Sequence, residues 1–154
     1  MSAAAPLPAG RVAIVAARWN EAVTLRLLDG AQACCAERGI TPNRVDIVWG
    51  AGAWELPVLV RGLLGRGGYV AVVVLGAVVR GETPHFDYIA GETARGLMSL
   101  QVEYGVPVGF GVLPCDTMAQ ALARAGGEAG NKGHEAAAAA LDAAVELGRH
   151  AGPR

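Results

Sequence analysis

Four apolar runs rich in β-branched residues alternate along the chain with segments of helical periodicity. The runs predict β-strands over residues 11–16, 44–49, 69–75 and 106–113. Near-continuous Val and Ile runs are typical of strands in a parallel sheet that is covered on both faces. The periodic segments predict helices over residues 20–38, 55–66, 87–104, 117–125 and 132–149.

This order of strands and helices predicts an α/β fold in which right-handed crossovers build a doubly wound parallel sheet. No linker or internal repeat interrupts residues 11–154, so we expect one domain there. Residues 1–10 are small and proline-rich and lack the basic and apolar regions of a signal peptide, so we interpret them as a mobile or partner-docked arm.

Three local signals mark the boundaries of these elements. Gly39 is predicted to end the first helix as a C-cap, and Asp116 to cap the helix that begins at residue 117. Residues 126–130 are interpreted as a glycine-rich break before the last helix.

Composition narrows the classes of function. The 13 basic residues are scattered and the net charge is −1, so we predict no nucleic-acid partner. No long apolar run is free of Gly, Pro and charge, so no membrane span is expected. Hydrophobic residues make up 53% of the chain, which favours oligomerisation to bury leftover apolar surface.

We assign no catalytic or cofactor-binding role to the cysteines or to these glycine-rich loops. Cys34, Cys35 and Cys115 lack CxxC spacing and are interpreted as reduced thiols of a cytoplasmic protein. Residues 50–55 begin like a dinucleotide-binding fingerprint but lack its third glycine, and residues 130–133 lack the core of a Walker loop. There is therefore no sequence case for NAD, ATP or a metal.

Ligands of doubly wound sheets bind beyond the carboxyl ends of the strands. We predict that all four strands deliver aromatic, glycine or ionisable residues to that edge, namely Trp19 and Asn20, Trp54 and Glu55, His85, and Phe110. The aromatic rings either cap the sheet edge or stack on a planar heterocycle. Glu55 is either a charge at a helix N-terminus or an acceptor for polyol hydroxyls.

Ionisable residues near this edge suggest proton transfer and anion binding. His85, interpreted as a loop residue, could move protons as a general acid or base, and Asp87 either orients it or is the first acid of the next helix. Arg124 and Lys132 flank the glycine-rich break and are either solvated helix-end charges or donors to a phosphate.

Several motifs, in order and in register, resemble those of the 6,7-dimethyl-8-ribityllumazine synthase family. They cover about residues 11–149 and comprise residues 17–20, 52–57, 78–88, 107–113 and 124–133. The resemblance implies a flavodoxin-like three-layer αβα sandwich with a four-stranded parallel sheet. It also implies active sites shared between adjacent subunits of a pentamer.

The resemblance assigns roles to individual residues. His85 matches the family's proton-transfer histidine, and Trp19 matches the aromatic residue that stacks on the pyrimidine. Phe110 and Arg124 would come from the neighbouring subunit, with Arg124 binding phosphate and Lys132 close by. The resemblance further implies that the ribityl chain is bound by Asn20, Ala53, Trp54 and Glu55. It implies that the heterocycle is lined by Ala77, Val78 and Val79, and that the loop on the phosphate side contains Glu82 and Thr83.

The implied reaction condenses 5-amino-6-(D-ribitylamino)uracil with 3,4-dihydroxy-2-butanone 4-phosphate without a metal or redox cofactor. Two departures from the family pattern stand out. Residues 114–116 are Pro-Cys-Asp where relatives commonly have Thr-Thr-Glu, and Glu128 replaces a lysine near the phosphate side.

The resemblance also bears on assembly and on an alternative function. The short break over residues 126–131 resembles that of shell-forming members, so we expect a 60-mer of twelve pentamers, with the pentamer as the alternative. Riboflavin synthase is a further expected partner. The alternative function is a non-catalytic flavin-binding or shell-forming member, because relatives with Trp at the Trp19 position also hold riboflavin-like ligands.

Overall fold

The structure, a computed structural model, describes residues 6–151 of the chain. The strands of the main sheet are β1 (Arg11–Ala17), β2 (Val45–Gly50), β3 (Tyr69–Val79) and β4 (Val108–Cys115). The helices are α1 (Glu21–Glu37), α2 (Leu56–Arg66), α3 (His85–Tyr104), α4 (Met118–Ala123) and α5 (Lys132–Arg149). A small ribbon of β5 (Ala125–Gly127) and β6 (Gly130–Asn131) lies between α4 and α5.

The four main strands form one all-parallel sheet in the order β2-β1-β3-β4. The winding direction reverses between β1 and β3, which creates the crevice where doubly wound sheets bind ligands. The predicted flavodoxin-like α/β sandwich with a four-stranded parallel sheet is therefore confirmed.

Alternating side chains of the strands build two apolar layers, one on each face of the sheet. On one face Ile14 and Leu75 belong to a buried cluster with residues of α1 and α5. On the other face Val15 and Val74 pack with residues of α2 and α3. Because β1 and β3 are buried on both faces, their sequences are almost continuously apolar.

Small residues let α5 approach its neighbours closely. A Cβ atom on Gly109 of β4 would overlap the carbonyl oxygen of Ala136, and one on Gly133 would overlap that of Leu27 in α1. The alanine-rich sequence of α5 therefore serves close packing, with Ala137 and Ala140 buried.

Several element boundaries differ from the prediction. β3 continues to Val79 and β4 to Cys115, because the two strands stay paired up to that register. α3 begins at His85, so His85 is the first helical residue and not a loop residue. The predicted end of α1 before Gly39 is confirmed, but the C-cap residue is Arg38, and Gly39 follows it with φ of 73°.

The predicted N-cap Asp116 is wrong. Thr117 caps α4 instead, because its Oγ1 accepts from the amide of Gln120 over 3.1 Å. Asp116 pairs with Arg80, which takes its carboxylate away from the helix end.

The predicted glycine-rich break is the ribbon of β5 and β6. Gly126 and Gly130 have φ of 102° and 83°, which side chains rarely adopt, so glycines suit this tight turn. Asn131 ends the ribbon and caps α5, since its Oδ1 accepts from the amides of Gly133 and His134.

Residues 6–10 lie against their own chain. Arg44 donates to the carbonyl oxygens of Pro8 and Gly10 over 3.0 and 2.9 Å, and Leu7 packs on the core. Residues 1–5 of the predicted arm lie outside the described residues.

Across residues 6–151 the structure contains no helix long and apolar enough to cross a membrane, and no cluster of three or more potential metal ligands. Cys34, Cys35 and Cys115 are buried free thiols, as expected. Burial raises the pKa of all three, that of Cys35 to about 11, so they are poor nucleophiles near neutral pH.

Candidate functional site

The turn after β1 is anchored at the switch point of the sheet. The amide of Trp19 donates to the carbonyl oxygen of Ala51 over 2.9 Å, which ties this turn to the one after β2. Asn20 adopts a left-handed conformation with φ of 61°, and its Nδ2 donates to the carbonyl oxygen of Ala77 in β3 over 2.9 Å. Asn20 therefore links β1 to β3 where the ligand crevice opens.

The Trp19 indole lies on the backbone of Gly52. A Cβ atom at residue 52 would overlap Cε3 of the indole, so glycine is required for this contact. The Trp19 side chain is nevertheless 66% exposed. One part of the ring is held by Gly52 while the rest is open to a planar ligand.

The Ala53–Glu55 segment forms a short 3-10 turn that leads into α2. Glu55 Oε1 accepts from the amide of Gly52 over 2.9 Å, which bears out the helix-end interpretation for that oxygen. The carbonyl of Ala53 accepts from the buried hydroxyl of Thr93 over 3.2 Å. The turn is thus fixed from within by Glu55 and from α3 by Thr93.

Trp54 lies in a separate shallow groove. Its side chain is 55% exposed and lines this groove with Pro57, Glu92 and Thr93. Within a single chain the two indoles of Trp19 and Trp54 therefore do not share one cavity.

The segment after β3 brings His85 to the start of α3. Ala77 is buried, Val78 and Val79 are half-buried, and Glu82, Thr83 and His85 are exposed. No side chain of the described residues caps α3, which leaves its first amides accessible to an anion. Asp87 lies in the first turn and pairs with Arg80 at 3.6 Å, so the structure supports its interpretation as a helix acid.

No role was predicted for Arg80 from the sequence. Its Nε donates to Oδ1 of Asp116 over 2.8 Å, and its guanidinium lies 4.4 Å from the centre of the Phe86 ring. The hydrogen bond to Asp116 raises the pKa of Arg80 above its usual range. The available signal was position, because Arg80 is the first charged residue after the long apolar run of β3.

Arg124 and Lys132 lie in one groove of about 420 Å³. The hairpin of β5 and β6 brings them together, because the amide of Lys132 donates to the carbonyl oxygen of Arg124 over 2.8 Å. The residues that line the groove are Arg80, Phe86, Leu113, Pro114, Cys115, Asp116, Gln120, Arg124 and Lys132. Arg80 and Lys132 are paired with acids, whereas Arg124 pairs with no carboxylate among residues 6–151 and is available to an anionic ligand.

Two contacts hold the cations of this groove in place. Arg124 Nη1 donates to the carbonyl oxygen of Gln120 over 3.0 Å, and Lys132 Nζ pairs with Glu135 at 3.2 Å. The side chains of Lys132 and Glu135 are 42% and 55% exposed, so this ion pair contributes little to stability. The groove is therefore accessible to an anionic ligand.

Phe110 does not lie at the carboxyl edge of the sheet, so that prediction is wrong for a single chain. It pairs in register with Val74, five residues before the end of β3 at Val79. Its ring is 47% exposed although its neighbours Gly109 and Gly111 are buried. The ring points away from the core in the middle of the edge strand.

The predicted site residues therefore fall into separate groups within one chain. Trp19, Asn20 and Glu55 belong to a connected network around the turns after β1 and β2. Arg124 and Lys132 belong to the cationic groove. Trp54 and Phe110 lie outside both groups.

The similarity to known proteins extends over the part of the chain that contains all of these residues. Residues 9–147 match the model of a family described as 6,7-dimethyl-8-ribityllumazine synthase. The chain is also similar to a 6,7-dimethyl-8-ribityllumazine synthase from Gemmatimonas aurantiaca. The two are 52% identical over 132 residues, which cover 86% of this chain and 80% of that protein.

Proposed function

Because this chain belongs to the 6,7-dimethyl-8-ribityllumazine synthase family, we propose that it catalyses the penultimate step of riboflavin biosynthesis. In this reaction the free amine of 5-amino-6-(D-ribitylamino)uracil attacks the carbonyl of 3,4-dihydroxy-2-butanone 4-phosphate and forms an imine with loss of water. Elimination of phosphate and closure of the second ring, with loss of another water, give 6,7-dimethyl-8-ribityllumazine. The enzyme is a transferase.

The pyrimidine site consists of the turns after β1, β2 and β3. The exposed face of the Trp19 indole stacks on the heterocycle, whose edges meet backbone groups of Ala77, Val78 and Val79. The hydrogen bond between Asn20 and Ala77 fixes the distance between these two walls.

The ribityl chain extends along the turn after β2. Ala53 and Trp54 contact it there, and Glu55 accepts its hydroxyls. The Glu55 carboxylate is suited to this because Oε1 is anchored by the amide of Gly52, which leaves Oε2 for a ligand.

The phosphate site combines Arg124 and Lys132 of one subunit with the uncapped start of α3 of its neighbour. The single observation that carries the proposal is that these two cations, from opposite sides of the β5–β6 ribbon, line one groove. A guanidinium fork and an ammonium are strong donors to phosphate. Glu82 and Thr83 form the loop whose backbone amides complete the site.

His85 assists the proton transfers of imine formation and phosphate elimination. It is exposed at the first position of α3, beside the loop of Glu82 and Thr83. Proton transfer by a positioned histidine contributes about 10²–10⁴-fold. Positioning of the two substrates supplies several kcal/mol more.

A neighbouring subunit completes the site. Trp19, Trp54 and Phe110 are all exposed in the single chain, and Phe110 lies too far from the carboxyl edge to serve its own network. We therefore propose a pentamer in which Phe110 and Arg124 serve the site of the adjacent subunit. The compact ribbon over residues 125–131 supports assembly of twelve pentamers into a 60-mer, with the free pentamer as the alternative.

We also propose a cellular location and a partner protein. The buried free thiols support a cytoplasmic location. Riboflavin synthase, which consumes the lumazine product, is a further proposed partner.

A second candidate function is flavin binding without catalysis. The exposed indole of Trp19 favours it, because such a surface stacks on any large planar heterocycle. A protein purified with a yellow, fluorescent ligand and without turnover would support this candidate over the enzyme.

Steady-state kinetics of Arg124→Met and Lys132→Met test the phosphate assignment. Loss of a charge-assisted hydrogen bond predicts that KM for the butanone phosphate rises by roughly tenfold or more, while KM for the pyrimidine changes little. Glu103→Gln, an exposed substitution at the far end of α3, is the matched control. Equal KM values in wild type and both variants would refute the assignment.

A further inference from the structure

The first turn of α3 is held by a side chain from outside the helix. Among the described residues no side chain caps this helix, and Pro84 at the N-cap position supplies no amide proton. Arg80 instead contacts the two residues that follow His85. Its guanidinium lies 4.4 Å over the Phe86 ring and 3.6 Å from Oδ1 of Asp87.

Arg80 is anchored at its other side to the end of β4. Its backbone amide donates to the carbonyl oxygen of Cys115 over 2.8 Å, and its Nε donates to Asp116 over 2.8 Å. The planar guanidinium thus contacts an aromatic face and two carboxylates from two different elements.

We propose that Arg80 is a positioning residue that fixes His85 by tying the first turn of α3 to the end of β4. The proposal rests on the proposed function of His85. Arg80 acts through Phe86 and Asp87, the next two residues, so it moves no proton and binds no substrate itself.

We expect the contacts of Arg80 to act together on the position of the first turn of α3 and to contribute little to stability. Arg80 and Asp116 are both largely exposed, and isolated exposed ion pairs contribute little to stability. The loss of Arg80 should therefore leave the fold intact. A displacement of about 1 Å in a catalytic group, however, lowers turnover by up to about 10²-fold.

Direct phosphate binding by Arg80 is the competing role, because Arg80 lines the same groove as Arg124 and Lys132. The two roles predict opposite effects of removing Asp116. If Arg80 bound phosphate, Asp116→Ala would free the guanidinium and lower KM for the butanone phosphate. If Arg80 positions His85, Asp116→Ala lowers kcat.

The experiment compares Arg80→Met, Asp116→Ala and the double variant with wild type in the assembled protein. We expect kcat to fall roughly 10- to 100-fold in Arg80→Met, with both KM values changed less than about twofold. Asp116→Ala should lower kcat by less, and the double variant should be no slower than Arg80→Met, because both substitutions break one connection. Arg149→Met, which removes an arginine that pairs with its helix neighbour Glu146, is the control and should keep full kcat.

Hydrogen–deuterium exchange gives a readout that does not depend on turnover. The peptide over residues 81–90 should exchange faster in Arg80→Met and Asp116→Ala than in wild type or Arg149→Met. Unchanged exchange and kcat, additive losses in the double variant, or an effect confined to KM for the butanone phosphate would overturn the proposal. An inactive wild type would refute the proposed function, and the exchange result would still decide whether Arg80 holds this turn.

Discussion

The side-chain amide of Asn20 donates to the carbonyl oxygen of Ala77 over 2.9 Å and so spans the switch point between β1 and β3. Asn20 is also the one non-glycine residue with positive φ among residues 6–151. Asparagine tolerates this conformation better than most residues. A single side chain therefore sets both the course of the backbone after Trp19 and the width of the crevice.

Substitution of Asn20 should separate these two contributions. Asn20→Gly keeps the positive φ accessible but loses the hydrogen bond, worth about 0.5–1.5 kcal/mol, and adds about 0.4–1 kcal/mol of backbone freedom to the unfolded chain. Asn20→Ala loses the same hydrogen bond and forces a left-handed conformation that costs roughly 1–2 kcal/mol. Thermal unfolding midpoints should therefore fall in the order wild type, Asn20→Gly, Asn20→Ala. An alanine variant as stable as the glycine variant would contradict this explanation.

Gly52→Ala should displace the Trp19 indole, because the added Cβ atom would overlap Cε3. Loss of stacking predicts a rise of about 2- to 10-fold in KM for the pyrimidine, with KM for the butanone phosphate unchanged. Gly62→Ala is the control, since residue 62 lies in α2 with open space around it. The interpretation fails if the two variants give the same KM for the pyrimidine.

Glu128 places a negative charge on the exposed turn between β5 and β6, in the ribbon that joins Arg124 to Lys132. Glu128→Lys should lower KM for the butanone phosphate a few-fold at low ionic strength and less at high salt. Glu103→Lys changes the net charge by the same amount at the distant end of α3. If both variants lower KM equally, the effect belongs to the net charge and not to the groove.

Asp46 should make stability depend on pH at the acid end. Hydrogen bonds from Arg11 and then from Tyr69 lower the pKa of its carboxyl from 3.8 to about 2. The folded-state pKa is thus below the unfolded value, so the stabilisation is complete above about pH 4 and is lost as pH falls towards 2. Thermal midpoints of wild type should fall more steeply than those of Asp46→Asn over this interval. Parallel curves would contradict the assignment.

The central strands of the sheet are predictable from the sequence because burial on both faces requires an almost continuous run of apolar residues. The run from Val70 to Leu75 has no polar residue, which is typical of a central parallel strand. The continuation to Val79 was missed because Gly76 and Ala77 weaken a strand pattern. The predicted start of α3 at residue 87 is two residues late, because the N-cap residue Pro84 is not one of the residues that usually mark a helix start.

The site is less predictable because it depends on contacts between distant residues. The exposure of Phe110 follows from the pairing of β4 with β3, which fixes it beside Val74, and nothing near residue 110 encodes that register. Arg80 and Asp116 are 36 residues apart, so their pairing appears only in the fold. The proximity of Arg124 and Lys132 was easier to predict, because the glycines between them allow a tight turn.

The most direct test of the account is to mix the assembled protein with 5-amino-6-(D-ribitylamino)uracil and 3,4-dihydroxy-2-butanone 4-phosphate and to follow lumazine formation optically. We predict a rate that is proportional to protein concentration and far above the spontaneous rate, and that falls about 10²-fold in His85→Ala. A rate equal to that of the two substrates in buffer alone would contradict it.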